Sequence, residues 1–372
     1  MKIDQSRWTD QQGWEPTSPA SRDADLVLVF ADTPYFRQPE CYEQLRSLYP
    51  LAIIVGCTSS GSILGTRISD GDMVATAIKL QSAQARMAHA SVLQGEDVKQ
   101  VAARLAEQLG DSGLRHLMLL SEGLTVNGSD LAAAVSGRGV TTTGGLAGDG
   151  SRFEQTWVMA NGPARQGQVA MLGFYGDLNV RTGCEAGWRE FGAERTVTRS
   201  IGNVVYEIDH QPALELYTRY LGPLAQDLPA SGLRFPLSMR TEQQPAPVIR
   251  TLLGVNPAES SLTFAGDVPQ GALCRLMRAD IDALLETSGI AAEAVAPLPC
   301  GSDSLCVVIS CVGRRLVMGQ NTEEELEMVQ QRLGSNAYMT GFYSYGELSP
   351  TGQQGQCQLH NQTLTLLHFS EP

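Results

Sequence analysis

Positive charge is scarce in this chain, and so are histidine and long apolar runs; each scarcity removes a class of function. Lys and Arg number 27 against 40 Asp and Glu, a formal net charge of −13. No basic cluster interrupts that balance, and phosphate backbones are gripped only by a concentrated basic face, so nucleic-acid binding is excluded. The acidity reads as solubility in a crowded cytoplasm. No stretch reaches the roughly 20 apolar residues of a membrane helix. The first twenty residues carry Trp8, Trp14, Pro16 and Pro19 but no apolar run, unlike a signal peptide. The expectation is a cytoplasmic protein with no membrane insertion. The eight cysteines (Cys41, Cys57, Cys184, Cys274, Cys300, Cys306, Cys311 and Cys357) include no Cys-x-x-Cys pair. Covalent haem attachment is thereby excluded, and the thiols read as reduced and mostly buried. Cys306 and Cys311 on one strand would point to opposite faces, which argues against a metal cluster with Cys300.

What is present suggests a mixed α/β chain. With 372 residues, 42% of them hydrophobic, it is long enough for two domains or one bilobal unit, and 38 glycines predict many tight turns. Apolar runs predict buried strands at Asp25–Phe30, Leu51–Val55 and His116–Leu120. Between them lie a helix near Glu40–Leu48 and one carrying Val98, Val101, Leu105 and Leu109 and stopped by Gly110. This β-α-β-α-β order predicts a partly parallel, helix-covered sheet in the N-terminal half. From Thr141 to Tyr206 short alternating runs replace helices, which predicts antiparallel strands, and a helix follows Pro212. Residues 222–247 read as a linker or irregular connection. The second half reads as antiparallel-rich α+β: strands near Val248–Val255, Ala272–Met277, Leu305–Ser310, Tyr338–Tyr343 and Leu359–Leu367, a helix from Ile281 ending at Gly289, and another from Thr322 to Gly334 with Thr322 and Glu325 as a capping box. No periodic repeat is visible. The expected division is a tail at 1–23 and domains at 24–210 and 211–372.

Two glycine-rich loops leave predicted strands. Gly56-Cys57-Thr58-Ser59-Ser60-Gly61 has the glycine spacing of a P-loop, but Ser62-Ile63 replaces the Lys-Ser/Thr that phosphate binding requires. Thr141 to Gly150 holds Gly144, Gly145 and Gly148 with Asp149, but lacks the order of a dinucleotide fingerprint. Each reads equally as a ligand loop or a tight turn. Cys57 has no base beside it in any readable motif, so it reads as a buried or loop-lining thiol. Of five histidines, His116 lies inside an apolar strand, while His210 and His360 are the two that could hold haem iron.

Six segments in order resemble the FIST family: the Gly56–Ser59 loop, Gly144–Asp149, Val205–Leu214, Phe264–Gly271, Gly341–Glu347 and Leu359–Thr363. The resemblance implies an N-terminal and a C-terminal FIST domain and a sensory module for a small ligand, with Cys57, Thr58, Ser59, Ser60, Gly144, Gly145, Gly148, Asp149, Tyr345 and Glu347 as candidate contacts. These 372 residues contain no kinase, cyclase or methyl-accepting segment, so the expectation that the resemblance implies is a separate partner such as a histidine kinase or a cyclic-di-GMP enzyme. Some members sense nitric oxide through haem, which would call on His210 or His360. A sensor of a small organic ligand such as an amino acid is the alternative, and a hydrolase using Asp149, Asp267 or Glu347 ranks last.

Overall fold

The structure is a computed structural model that describes residues 1–17, 21–296, 303–351 and 356–372; Cys300 lies outside them. It is mixed α/β, as the sequence predicts, but three of its four sheets repeat one plan that no sequence period announces. Each of the three is six-stranded and centred on a parallel pair: Leu26–Ala31 with Ile53–Thr58, Leu114–Ser121 with Thr141–Leu146, and Ser304–Cys311 with Ala337–Ser344. On the outer side of the first strand of each pair lies an antiparallel strand: Met73–Lys79, Gln168–Gly176 or Leu364–Ser370. A further strand follows it: Lys2–Thr9, Ala83–Ser91 or Asn179–Glu185. Residues 2–9 are therefore a paired strand, which corrects the expected N-terminal tail.

The second strand of each pair is flanked by a strand lent by another unit. Ser62–Leu64 crosses from the first unit to the third, Val158–Ala160 from the second to the first, and Gly346–Pro350 from the third to the second. The exchange is cyclic, giving the centre a pseudo-threefold arrangement. It also means that strands from both sides of residue 210 share sheets.

The inner faces of the three sheets meet in one core containing Leu28, Phe30, Met118, Leu120, Val307, Ile309 and Phe342. Phe30 and Phe342 stack there with ring centroids 4.8 Å apart. Each such fully buried side chain contributes about 1.5–3 kcal/mol of transfer free energy. Helices cover the outer faces: Pro39–Leu48 on the first sheet, Val98–Leu109 and Gly128–Val135 on the second, Ile281–Val295 and Thr322–Leu333 on the third. A fourth, eight-stranded sheet with helix Ala213–Leu221 and its own core is inserted between Asn179–Glu185 and Ile281–Val295.

Three expectations are corrected. The helix from Ile281 runs through Gly289 to Val295, because Gly289 faces Met328 and Arg332 of the neighbouring helix, where a Cβ would meet Met328 at 3.3 Å. Leu359–Leu367 is two strands, Cys357–His360 and Leu364–Ser370, parted by a turn with Gln362 at φ 61°. Thr322 and Glu325 form no capping box. The Thr322 hydroxyl donates to backbone carbonyls, and the fully buried Glu325 carboxylate pairs with the equally buried Arg314 at 2.6 Å and accepts from Ser310 and Tyr343.

Candidate functional site

The carboxyl ends of the three parallel pairs converge, and three glycines make that possible. Gly56, Gly144 and Gly341 occupy the same register position opposite Val29, Leu119 and Val308. A Cβ on each would fall 1.8, 2.1 and 1.8 Å from the carbonyl oxygen of that partner. Four residues further on, the units are laced in a ring. The N–H of Ser60 donates to the Tyr343 carbonyl (2.9 Å), that of Gly148 to Thr58 (3.0 Å) and that of Tyr345 to Leu146 (3.0 Å). Both glycine-rich segments and Tyr345 thus meet at the pseudo-threefold centre.

Most of the sequence-predicted contacts are consumed by this framework. Cys57 is fully buried in the central core, and burial holds its thiol well above the usual range, so it is inert. Thr58 accepts from the Trp157 and Gly148 amides through its hydroxyl and its carbonyl. Gly144 and Gly145 lie within a strand, where a Cβ on Gly145 would strike Ile309 at 2.7 Å. Gly148 packs against Ser60, whose Oγ is 2.2 Å from where a Cβ would be.

The buried carboxylates turn inward. Asp149 accepts from the amides of Phe153, Glu154 and Gln155, each at 2.9 Å, and from the Tyr345 hydroxyl. Burial alone would raise its pKa, but these donors outweigh it and hold the carboxyl below its ordinary value. Glu122, at the end of Leu114–Ser121, likewise accepts from Leu124 (2.9 Å), Thr125 (2.7 Å) and the Thr156 hydroxyl. Glu347 accepts from Ser344 and from Thr363 N (3.2 Å) and Oγ1 (2.9 Å), yet burial pushes it up to about 8. Asp149 and Glu347 staple loops; neither shares a cleft with Asp267, so the three carboxylates of the hydrolase reading do not converge.

The histidines do not fit haem ligation. His210 is exposed in a turn at φ 60°. His360 is buried, its Nε2 is 3.2 Å from the Ser349 carbonyl, and burial with the nearby Arg250 lowers its pKa to about 4. Neither lines the 270 Å³ or the 450 Å³ cleft beside the ring. His116 sits between the hydroxyls of Thr141 and Thr143 (2.8 and 2.9 Å), as a core histidine.

Two clefts open beside the ring. One, of about 270 Å³, lies between the central sheets and the inserted lobe. Its floor includes Leu146 and Leu359, its walls Tyr345 with Phe153 stacked on it at 4.4 Å, and its far side Phe264 to Asp267 with Asn203 and Leu253. The exposed apolar side chains Leu124, Phe153 and Leu253 form its rim. Polar contacts tie the two sides: Asn127 Nδ2 reaches Asp267 Oδ1 at 3.5 Å, and the Asp267 amide reaches Ser129 Oγ at 3.4 Å. Among the described residues, no Lys or Arg lines this cleft. The other, of about 450 Å³, is lined by Ser59, Ser60, Arg152 and Arg315 among others. Of the predicted contacts, Tyr345 lines the first cleft and Ser59 and Ser60 the second. Leu124, Asn127, Phe153, Asn203 and Leu253 are unheralded in the sequence, whereas Phe264–Asp267 sits in one of the six resembling segments.

A FIST N domain model matches residues 25–211 and a FIST C domain model residues 213–350. No curated protein matches the chain. Among solved structures, the crystal structure of a cyanuric acid hydrolase from A. caulinodans is similar at 8% identity and a TM-score of 0.37, over 100% of this chain and 98% of that one, too remote to carry an argument.

Proposed function

The chain belongs to the FIST family of sensory, ligand-binding domains, and on that premise we propose that it senses a small organic molecule in the 270 Å³ cleft and reports to a separate signalling enzyme. One observation carries the reading. The walls come from both the laced centre and the inserted lobe, so a ligand filling the cleft contacts both at once. A molecule that binds one relative placement of the two better than another shifts their equilibrium by its differential affinity. Aromatic and aliphatic walls with the amides of Asn127 and Asn203 and the carboxylate of Asp267 suit a compact, partly apolar ligand of amino-acid size. A histidine kinase or a cyclic-di-GMP enzyme is the partner this reading calls for.

Thermal-shift titration against amino acids and related metabolites tests it. A true ligand at a hundred times its Kd adds about 2.7 kcal/mol. Leu124→Trp, which fills the mouth, abolishes that shift. A ligand whose shift survives Leu124→Trp and Asp267→Ala binds elsewhere and defeats the assignment.

A further inference from the structure

The pseudo-threefold centre offers three related positions, each between the carboxyl end of one parallel pair and the ring residues of a neighbouring unit. They are filled differently. Beside Leu26–Ala31 the position is closed by the chain after Gly150: Arg152 pairs with Asp32 at 2.7 Å, and the Thr33 hydroxyl meets the Gln155 carbonyl at 3.5 Å. Beside Leu114–Ser121 it is the 270 Å³ cleft, walled by Tyr345. Beside Ser304–Cys311 it stays open as the 450 Å³ cleft, where the small Ser60 takes the ring position that Tyr345 takes in the other.

We propose that this open cleft is a second ligand site, for a small oxyanion (a phosphate or carboxylate group), and that the Asp70 side chain holds the oxyanion's place in its absence. Arg315 presents its guanidinium fork to Asp70, with Nη1 to Oδ1 at 2.8 Å and Nη2 to Oδ2 at 2.6 Å. That two-pronged geometry is the one a guanidinium makes with a carboxylate or a phosphate. The fork is built into the fold. Its Nη1 also donates to the Ser60 carbonyl, and it lies 5.7 Å from the Tyr343 ring centroid. Gly61, at φ +135°, keeps its space: a Cβ there would fall 2.6 Å from Nη1.

Asp70, in contrast, is held by little else. It is 68% exposed in the connection between the strands Arg67–Ser69 and Met73–Lys79, which belong to different sheets, next to Gly71, around which a Cβ would meet nothing within 4 Å. The hydrogen bond from Arg315 keeps its carboxyl below the ordinary range against the opposing effect of burial, and Arg152 adds to that pull, so both arginines act on one carboxylate. Asp32, the other carboxylate at the cleft, is engaged by Arg152 and by the Thr33 amide at 2.8 Å. Ser59 Oγ accepts from the Gly61 amide at 2.9 Å, which leaves its O–H to donate. Asp70 is the exposed member of the pair and Arg315 the held one, so an incoming oxyanion with higher charge competes with Asp70 for a fork that stays in place. The site is separate from the 270 Å³ cleft: among the described residues the two linings share no member.

Isothermal titration of the full chain with inorganic phosphate and with succinate, at constant ionic strength, tests the assignment. Asp70→Asn frees the fork and tightens binding roughly fivefold, the equivalent of an ion pair of about 1 kcal/mol. Arg315→Gln abolishes binding, with an unchanged circular dichroism spectrum as the check on folding. Arg152→Gln, a change at a half-exposed surface side chain, weakens it severalfold and serves if Arg315→Gln misfolds. Variant-dependent binding of either probe supports the site and identifies the oxyanion. Equal affinities in the wild type, Asp70→Asn and Arg152→Gln, or no binding of either probe to Asp70→Asn, overturn it.

Discussion

Replacing Glu347 by Gln should make the protein less sensitive to alkaline pH, and the size of the effect follows from where this carboxyl sits. Glu347 is fully buried, and burial raises it from an ordinary 4.5 to about 8, even though Ser344 and Thr363 donate to it. The unfolded chain releases this proton near the ordinary value, whereas the folded chain keeps it until the higher one. Between the two the native state binds the extra proton, so stability falls as pH rises. At about 1.4 kcal/mol per pH unit, the span from 4.5 to about 8 amounts to about 5 kcal/mol by the alkaline end. Gln is neutral throughout and nearly the same shape. Its carbonyl oxygen can accept from Thr363, and its amide can donate to the Ser344 hydroxyl if that hydroxyl turns to accept. Differential scanning calorimetry from about pH 5 to about pH 9 gives the comparison, because other titrating groups contribute equally to both proteins. The wild type should match or exceed the variant at the acid end and lose ground steadily, so that the variant is the more stable at the alkaline end. Parallel curves would refute the reasoning, since they would mean that the Glu347 proton is released at the same pH in both states.

Three further changes probe the framework. Gly56→Ala or Gly341→Ala places a Cβ 1.8 Å from a neighbouring carbonyl oxygen and should cost about 3 kcal/mol or more, read as a fall in thermal midpoint or loss of soluble protein; Gly65→Ala, strained only by its φ of +61° with open space around it, should cost about 1 kcal/mol. Arg314→Met strands the buried Glu325 carboxylate and should cost about 3–5 kcal/mol in denaturant unfolding, while Arg332→Met, which cuts the exposed pair with Glu293, should cost under about 1 kcal/mol. Tyr345→Phe removes the hydroxyl that Asp149 and Gly150 share, should cost about 1–3 kcal/mol, and should speed amide exchange at Phe153–Gln155 while leaving the rest of the core unchanged.

The strands that were legible in the sequence are those buried on both faces. Leu26–Ala31, Ile53–Thr58 and Leu114–Ser121 are apolar runs with helices between them, and Val98–Leu109 has its apolar stripe and its glycine stop. Lys2–Thr9 was not legible, because Lys-Ile-Asp-Gln-Ser-Arg-Trp-Thr reads as polar; it is held as a strand by its full register with Met73–Lys79. The threefold plan left almost no trace either. Its units share a register and a ring of backbone hydrogen bonds, and only Gly56, Gly144 and Gly341 record that in side-chain identity. The next residue in each unit is Cys57, Gly145 or Phe342, three sizes that fill one shared core by complementing each other.

The same physics explains why the glycine-rich segments lead to the pseudo-threefold centre while most of their atoms are used up in building it. A glycine after an apolar run signals that backbone must come close to something. At Gly56 and Gly144 that something is the neighbouring strand's carbonyl, so these residues and Cys57 lie inside strands that continue to Thr58 and Leu146. Beyond them, at Ser59, Ser60, Leu146, Gly150 and Tyr345, the chain reaches a cleft. Acidic residues misled in a parallel way. Asp149 and Glu347 follow glycines at strand ends, where a ligand-facing carboxylate would also stand, but Asp149 is surrounded by amides of its own loop and the Tyr345 hydroxyl, and Glu347 by Ser344 and Thr363. Four internal donors take up the lone pairs of Asp149, and Glu347, with three, keeps its proton up to about 8, so neither presents a free carboxylate to a ligand. Asp267 is different: among the described residues its carboxylate has a single long hydrogen bond, from Asn127, with Lys99 and Arg250 acting on it only through their charge, and it lines the 270 Å³ cleft. Counting donors around each acid thus separates acids that build the centre from one that lines a cleft, and sequence spacing alone cannot make that count.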